Sequence, residues 1–357
     1  MLQAAYQKYT LHFTFKAGTS RGVLTERDTY YVKLWDSGNP AVYGLGECAP
    51  LRGLSVDDVP TYETYLNAIC GQINGGGFAP DTDTISEQIG ADWPSIQAGF
   101  EMAWLDLQNG GKRLLYDTPF SRGKAGIEIN GLVWMGDEAF MREQIDAKLA
   151  AGFRCLKLKI GAIDFEHECD LLSYIRTHYP PEQITLRVDA NGAFTPEEAP
   201  KKLEKLAAYH LHSIEQPIRQ GQVEKMAKLC ATTALPIALD EELIGISSFQ
   251  AKQTLLHTIR PQYIILKPSL LGGFGHCQEW ITIAESLDIG WWITSALESN
   301  IGLNAIAQFT ASLLNPLPQG LGTGQLYHNN IGSPLAIRGG FLYYDTDTEW
   351  ETGQILP

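Results

Sequence analysis

From about residue 125 onward the chain repeats one unit. Short apolar runs (EINGLVW, FRCLKLKIG, ITLRVDAN, LHSIEQP, PIALDEE, YIILKPS, GWWITSALE and QGLGTGQL) alternate with amphipathic stretches. FMREQIDAKLAAG, PEEAPKKLEKLAAYH, QVEKMAKLCATTA and FGHCQEWITIAESLD are examples of the latter. Strands separated by helices pair in parallel, and eight strands is the number that closes a TIM-type α/β barrel. No low-complexity tract or linker interrupts this half, so the barrel is predicted as one continuous body.

The first 60 residues follow another rule. YTLHFTF, TYYVKLWD and AVYGLGECAP have the period-2 alternation of strands, punctuated by Gly, Ser and Pro. Two helical segments follow, at 59–73 and 95–110, and the second puts Ile96, Phe100, Ala103, Trp104 and Leu107 on one stripe. Strands followed by helices predict a compact α+β unit over residues 1–120. The barrel then occupies 121–324. The tail, 325–357, reads as short strands again and is expected to rejoin the first unit.

Charge and cysteine usage narrow the class. A net charge of -14 with no Lys/Arg run predicts no nucleic-acid partner. The six cysteines are scattered without a CxxC pair, which argues against a zinc site and a disulfide framework. The N-terminus lacks the apolar core of a signal peptide, and no apolar run approaches the length of a membrane span. The expectation is a cytoplasmic protein with no membrane association.

Charged residues recur where the strands end. Lys159, Asp189, Glu215, Asp240 and Lys267 follow one another at intervals of 30, 26, 25 and 27 residues, about one βα repeat each. The next step reaches Ser295, and then the glycines of GLGTG. Strand ends of a parallel barrel converge on one mouth, where active sites of this fold are built. Helix capping would be the ordinary use of such acids. Thr195-Pro196-Glu197-Glu198, however, already forms a capping box after Asp189, Ser247 or Ser248 can cap after Asp240, and a proline blocks helix initiation after Glu215. Three uncapped carboxylates at one mouth suit a hard divalent cation. A softer metal would require His or Cys, and neither stands at these positions.

CLKLKIG, residues 155–161, belongs to this mouth. Taken alone, lysines alternating with leucines describe an edge strand, where they discourage stray pairing. Set within the ladder, Lys157 and Lys159 are expected to point into the barrel, while the leucines face the helices. An amine acts as a base near neutral pH only when its pKa is lowered, and burial, a neighbouring ammonium and a nearby cation all push that way.

KLK (157–159), DAN (189–191), the Glu of SIEQP (215), DE (240–241) and the Lys of LKPS (267) together resemble the enolase superfamily, in its muconate-lactonizing-enzyme-like branch, over essentially the whole chain. The resemblance implies an α+β capping domain followed by a (β/α)7β barrel. It implies Asp189, Glu215 and Asp240 as ligands of Mg²⁺, with Mn²⁺ able to substitute, and a small carboxylate substrate. Lys159 becomes the acid/base on one face of that substrate, Lys267 a cation on the other, and Lys157 the group that tunes Lys159. Asn191 and Glu241 support the site from behind.

Three further segments, GLGECAPLRGLS (44–55), TSALESNIGL (294–303) and GLGTGQL (320–326), with INGLVW (129–134) on the first barrel strand, resemble the o-succinylbenzoate synthase family of that branch. The reaction this implies is dehydration of 2-succinyl-6-hydroxy-2,4-cyclohexadiene-1-carboxylate to 2-succinylbenzoate, through an enediolate, in menaquinone biosynthesis. Arg21 in GTSRGVL, Ser295, Ser299, Asn300, Gly322 and Thr323 are the candidate substrate contacts. The N-terminal amides of the helix after Ser299 are a candidate seat for the distal carboxylate, with a plain N-cap as the alternative. An N-acylamino acid racemase uses the same two lysines and stays open. A dipeptide epimerase is disfavoured because GLGTG carries no acid. A Schiff-base aldolase and a catalytically silent barrel are the remaining alternatives.

Overall fold

The computed structural model describes residues 1–19, 22–77, 84–161 and 163–355. The chain opens with three antiparallel strands, β1 (Leu2–Thr19), β2 (Gly22–Asp36) and β3 (Asn39–Cys48), in sequential order. Their alternation buries Tyr30, Val32 and Leu34 against α1 (Tyr62–Asn74), α2 (Ile85–Ile89) and α3 (Pro94–Gln108). The predicted stripe of α3 lies in that core, with Ile96, Phe100 and Ala103 fully buried and Trp104 and Leu107 at its edge. Helix and sheet meet at van der Waals distance because two glycines leave room. A Cβ on Gly46 would stand 1.9 Å from the carbonyl oxygen of Gly99, and one on Gly99 would stand 2.4 Å from Cys48 Sγ.

The second body begins with β4 (Ile127–Glu128) and β5 (Gly131–Val133). It continues as α4 (Glu138–Ala150), β6 (Cys155–Lys159), α5 (Phe165–His178), β7 (Thr185–Asp189), α6 (Ala199–Ala207), β8 (Ser213–Glu215) and α7 (Val223–Thr232). Then come β9 (Ile237–Leu239), α8 (Phe249–Ile259), β10 (Tyr263–Leu266), α9 (Pro268–Leu271), α10 (Phe274–Ser286), β11 (Gly290–Ile293) and α11 (Asn300–Ser312). Strands β5 to β11 pair in parallel, each with its neighbour in sequence. Local capping follows the sequence. Thr195 and Glu198 exchange the two capping-box hydrogen bonds, at 3.2 and 3.3 Å, although regular helix starts only at Ala199. Ser248 Oγ caps α8 by accepting from Ala251 N.

The eighth run departs from the expectation of a full strand. Only Gln319 and Gly320 bridge, one to Ile129 and the other to Thr294, and residues 323–325 turn into a 3-10 helix. Four backbone hydrogen bonds, among them Asn130 N to Gln319 O and Gly320 N to Ile293 O, nevertheless close the ring between β11 and β5. Glycines weaken a strand because they give it no side chains to pack. Among the described residues no α-helix follows this closure. The tail divides instead: β12 (Leu335–Arg338) pairs with β13 (Phe341–Tyr344) and β13 with β4, whereas Leu326, His328 and Asn329 bond to β1. Among the described residues no helix is long and apolar enough to cross a membrane.

Glu101 of α3 joins the two bodies by accepting from the first amides of α10, Phe274 N at 2.5 Å and Gly275 N at 3.1 Å. Burial pushes its carboxyl up to about 7, against these two donors, which favour the ionised form. The folded pKa lies above the ordinary 4.5. The folded state therefore keeps a proton that the unfolded chain releases, and this contribution is full below 4.5 and lost as pH rises through about 7. Thermal melts from about pH 5 to pH 8 should show a falling Tm for this protein and a flatter profile for Glu101→Gln. Parallel profiles would remove Glu101 as the source.

Candidate active site

Strand register assembles the site. Lys159 lies opposite Asp189, and Asp189 opposite Glu215, so β6, β7 and β8 present one row of charges. Asp240 follows β9 directly and Lys267 follows β10. The CLKLKIG alternation sends Leu156 and Leu158 into the core shared with the helices, while Lys157 and Lys159 line a cavity of about 510 Å³. Lys267 lines it from the other side of the carboxylates. All three acids are buried beneath these amines.

Contacts among the six groups are close. Lys157 Nζ stands 2.9 Å from Asp189 Oδ2 and 2.5 Å from Glu215 Oε2. Lys159 Nζ stands 3.2 Å from Asp189 Oδ2 and donates to Asn191 Oδ1 at 2.9 Å. Lys267 Nζ lies 2.5 Å from Asp240 Oδ2 and 3.6 Å from Glu215 Oε1. Asn191 takes a left-handed φ of 45°, which Asn tolerates, because its N–H turns back to Asp189 Oδ1. From there its Nδ2 donates to Glu241 Oε1 at 3.1 Å, so one amide ties Lys159 to Glu241.

Electrostatics follow from this packing. Burial alone raises Asp189, but Lys157, Lys159 and Lys267 outweigh it and hold the carboxyl well below the usual range. Burial raises Asp240; Lys267 opposes the rise, and Glu241, Glu215 and Asp189 add to it. The expected downward push on the amines is reversed at two of them. Burial lowers Lys157 and Lys267, yet the carboxylates they touch win and both are raised.

The ammonium groups hold the three acids apart. Among the described residues no three His, Cys, Asp or Glu side chains converge as a ready-made metal cage. The donor set nonetheless fits a hard cation. The Glu215 carboxylate is buried and touched by ammonium groups alone, Lys157 at Oε2 and Lys267 at Oε1, and its two flanking carboxylates come from adjacent strands. Three buried carboxylates, all oxygen donors, are the ligand type such a cation takes.

The remaining candidates separate. Ser295, Gly322 and Thr323 line the cavity. Ser299 and Asn300 do not. Glu47 of β3 fills the α11 terminus instead, accepting from Ser299 N and Gly302 N at 2.9 Å each and from Ser299 Oγ at 2.6 Å. A second carboxylate has no amides left there, so the seat expected for the substrate's distal carboxylate is corrected to a structural one. Ser299 also caps the helix, accepting from Ile301 N. Asn300 bonds to Asn330 and Ile331 of the tail. Arg21 lies outside the described residues; its neighbours Gly22, Val23 and Leu24 line the cavity, as do Leu51, Arg52, Gly53 and Leu54.

Asn130, Leu132 and Trp134 were missed as wall residues. The period-2 rule that exposes Lys157 and Lys159, applied to INGLVW, would have found them. The same rule finds Arg187, two residues before Asp189. It is buried on the lower layer, its guanidinium 3.9 Å from the ring centroid of Trp292 and its Nη1 donating to Pro318 O.

Comparison with known proteins agrees with this architecture. Residues 140–347 match the family model described as Enolase C-terminal domain-like. An o-succinylbenzoate synthase of Desulfotalea psychrophila is 48% identical over 96% of this chain and 98% of its own. The crystal structure of MenC from Desulfotalea psychrophila LSv54 superposes with a TM-score of 0.86 at 45% identity, covering 96% of this chain and 99% of that one. A dipeptide epimerase of Enterococcus faecalis V583, solved with Mg and the dipeptide L-Leu-L-Tyr, shares the fold at TM-score 0.82 and 19% identity, over 98% of each chain. The chain belongs to the enolase superfamily, within its o-succinylbenzoate synthase family.

Proposed function

We propose that this chain is an o-succinylbenzoate synthase, a lyase that dehydrates 2-succinyl-6-hydroxy-2,4-cyclohexadiene-1-carboxylate to 2-succinylbenzoate in menaquinone biosynthesis. The 48% identity to a synthase across 96% of the chain carries the reading, and the site supplies the chemistry. Lys159 Nζ takes the proton alpha to the ring carboxylate and an enediolate forms. The resulting ammonium then gives that proton to the departing hydroxyl, which leaves as water with the C–O bonding pair, and the ring becomes aromatic. Asn191 and Asp189 aim the Lys159 amine. Lys267 opposes the negative charge that develops on the substrate, and Lys157 neutralises Asp189 and Glu215 from below. A divalent cation, Mg²⁺ with Mn²⁺ as substitute, held by Asp189, Glu215 and Asp240, supplies Lewis-acid stabilisation of the substrate carboxylate.

Residues 1–120 with 325–357 serve as the capping domain in this reading, residues 121–324 as the barrel, and the enzyme works in the cytoplasm on a small carboxylate. The three buried carboxylates beside Lys159 and Lys267, and the raised pKa of Lys267, disfavour a Schiff-base aldolase, which needs a neutral amine and no metal-type acids. An N-acylamino acid racemase keeps a specific argument, because Lys159 and Lys267 line the same cavity. A spectrophotometric assay with the cyclohexadiene substrate and Mg²⁺ decides between them. Formation of 2-succinylbenzoate, abolished by chelation, is the expected result. Absence of turnover, with α-deuterium exchange into an N-succinylamino acid, would replace the synthase by the racemase.

A further inference from the structure

Behind the cavity wall a line of hydroxyl groups ends on a buried carboxylate. Glu298, fully buried, accepts from Ser269 Oγ at 2.6 Å and from Ser295 Oγ at 2.7 Å. A hydroxyl has one proton and two lone pairs. Ser295 gives its proton to Glu298 and accepts from Leu297 N at 3.1 Å, which leaves one lone pair for Thr323 Oγ1 at 2.7 Å. Thr323 must donate in that contact. Its hydroxyl therefore retains two lone pairs and has no proton for a ligand. Thr323 lines the main cavity and an adjoining one of about 340 Å³. Asn130 lines both as well, but its amide oxygen is buried out of contact with the cavity space.

We propose that Thr323 makes this cavity wall a hydrogen-bond acceptor that selects a hydroxyl-bearing substrate and orients that hydroxyl for departure. The substrate class is the one argued in the preceding section. Its two carboxylates and its ketone only accept hydrogen bonds, so the ring hydroxyl is the single donor that can satisfy this wall. As that oxygen takes the proton from Lys159, its own O–H becomes more acidic and its hydrogen bond to an acceptor strengthens. The contact thus grows as the C–O bond breaks. Glu298 acts through Ser295 as a positioning residue that fixes the direction of the chain. In Glu298→Gln the new amide N–H donates to Ser295, Ser295 donates to Thr323, and the Thr323 proton turns toward the cavity.

The test measures binding rather than turnover, so its failure and a failure of the synthase reading are separable. The probes are 2-hydroxycyclohexane-1-carboxylate and its methyl ether, titrated calorimetrically into the full-length protein with Mg²⁺. The unmodified protein should bind the hydroxy acid about fivefold to tenfold more tightly than the ether, the worth of one neutral hydrogen bond. Thr323→Val should erase that preference, Thr323→Ser should keep it, and Glu298→Gln should reverse it. Equal binding of the two probes by the unmodified protein, or an undiminished preference in Thr323→Val, would overturn the proposal. Should Glu298→Gln fail to fold, the two Thr323 variants decide the matter between them.

Discussion

Replacing Lys159 by alanine is expected to lower kcat by roughly 10³- to 10⁴-fold, near the upper end of what a positioned acid/base contributes. The size follows from its place. Lys159 reaches the cavity with its amine fixed by Asp189 and Asn191, and it carries the proton in both halves of the proposed reaction. Truncation leaves the fold intact, because the side chain ends at the cavity and its loss admits water rather than emptying the core. Affinity for 2-succinylbenzoate should accordingly change only severalfold. Lys159→Arg should be as inactive as the alanine variant, since a guanidinium keeps its charge and cannot accept the proton. A Lys159→Ala enzyme within tenfold of the parent kcat would transfer the base role to Lys267.

The second large effect is expected at Asp189, and it has two independent readouts. Its carboxylate is shared by Lys157 and Lys159. Asp189→Ala leaves Lys157 buried with Glu215 as its remaining close partner. Removing one side of a buried ion pair costs about 3–5 kcal/mol, because the other charge stays desolvated. Urea unfolding without added metal should show that loss as a lower midpoint with an unchanged slope. Calorimetric titration with Mg²⁺ should show binding weakened beyond detection, since one of three ligands is gone. Asp189→Asn keeps the shape and tests charge alone: it should resemble alanine in metal binding. Full stability together with intact metal affinity in Asp189→Ala would dissolve the assigned ligand set.

The site was legible where chemistry is written in single residues at strand ends. Lys159, Asp189, Glu215, Asp240 and Lys267 are spaced by the length of a βα repeat, and a parallel barrel has only one place to bring such positions together. Strand alternation then supplies the direction of each side chain. Legibility failed where the partner lies far along the chain. Nothing near Ser299 announces that a glutamate 252 residues earlier fills its helix terminus. The eighth strand reads as eight residues but pairs through two, because backbone pairing there depends on neighbours that glycine does not specify. The reversed pKa direction at Lys157 and Lys267 was equally hidden. It depends on which carboxylate each amine touches, and strand ends fix proximity but not pairing.

Glu47 also bears on how the enzyme opens. The carboxylate reaches from the first sheet into the helix after the seventh barrel strand, and Arg27 beside it donates to Ala296 O and Ala49 O. Swinging the first body away would strip α11 of its N-terminal counter-charge and cost Glu47 and Arg27 their bonds to the barrel. The bodies are thus riveted at that point, beside the segments Gly22–Leu24 and Leu51–Leu54 that line the cavity from the first body. Grafting a relative's cap onto this barrel would succeed or fail on that one rivet before any question of substrate preference arose.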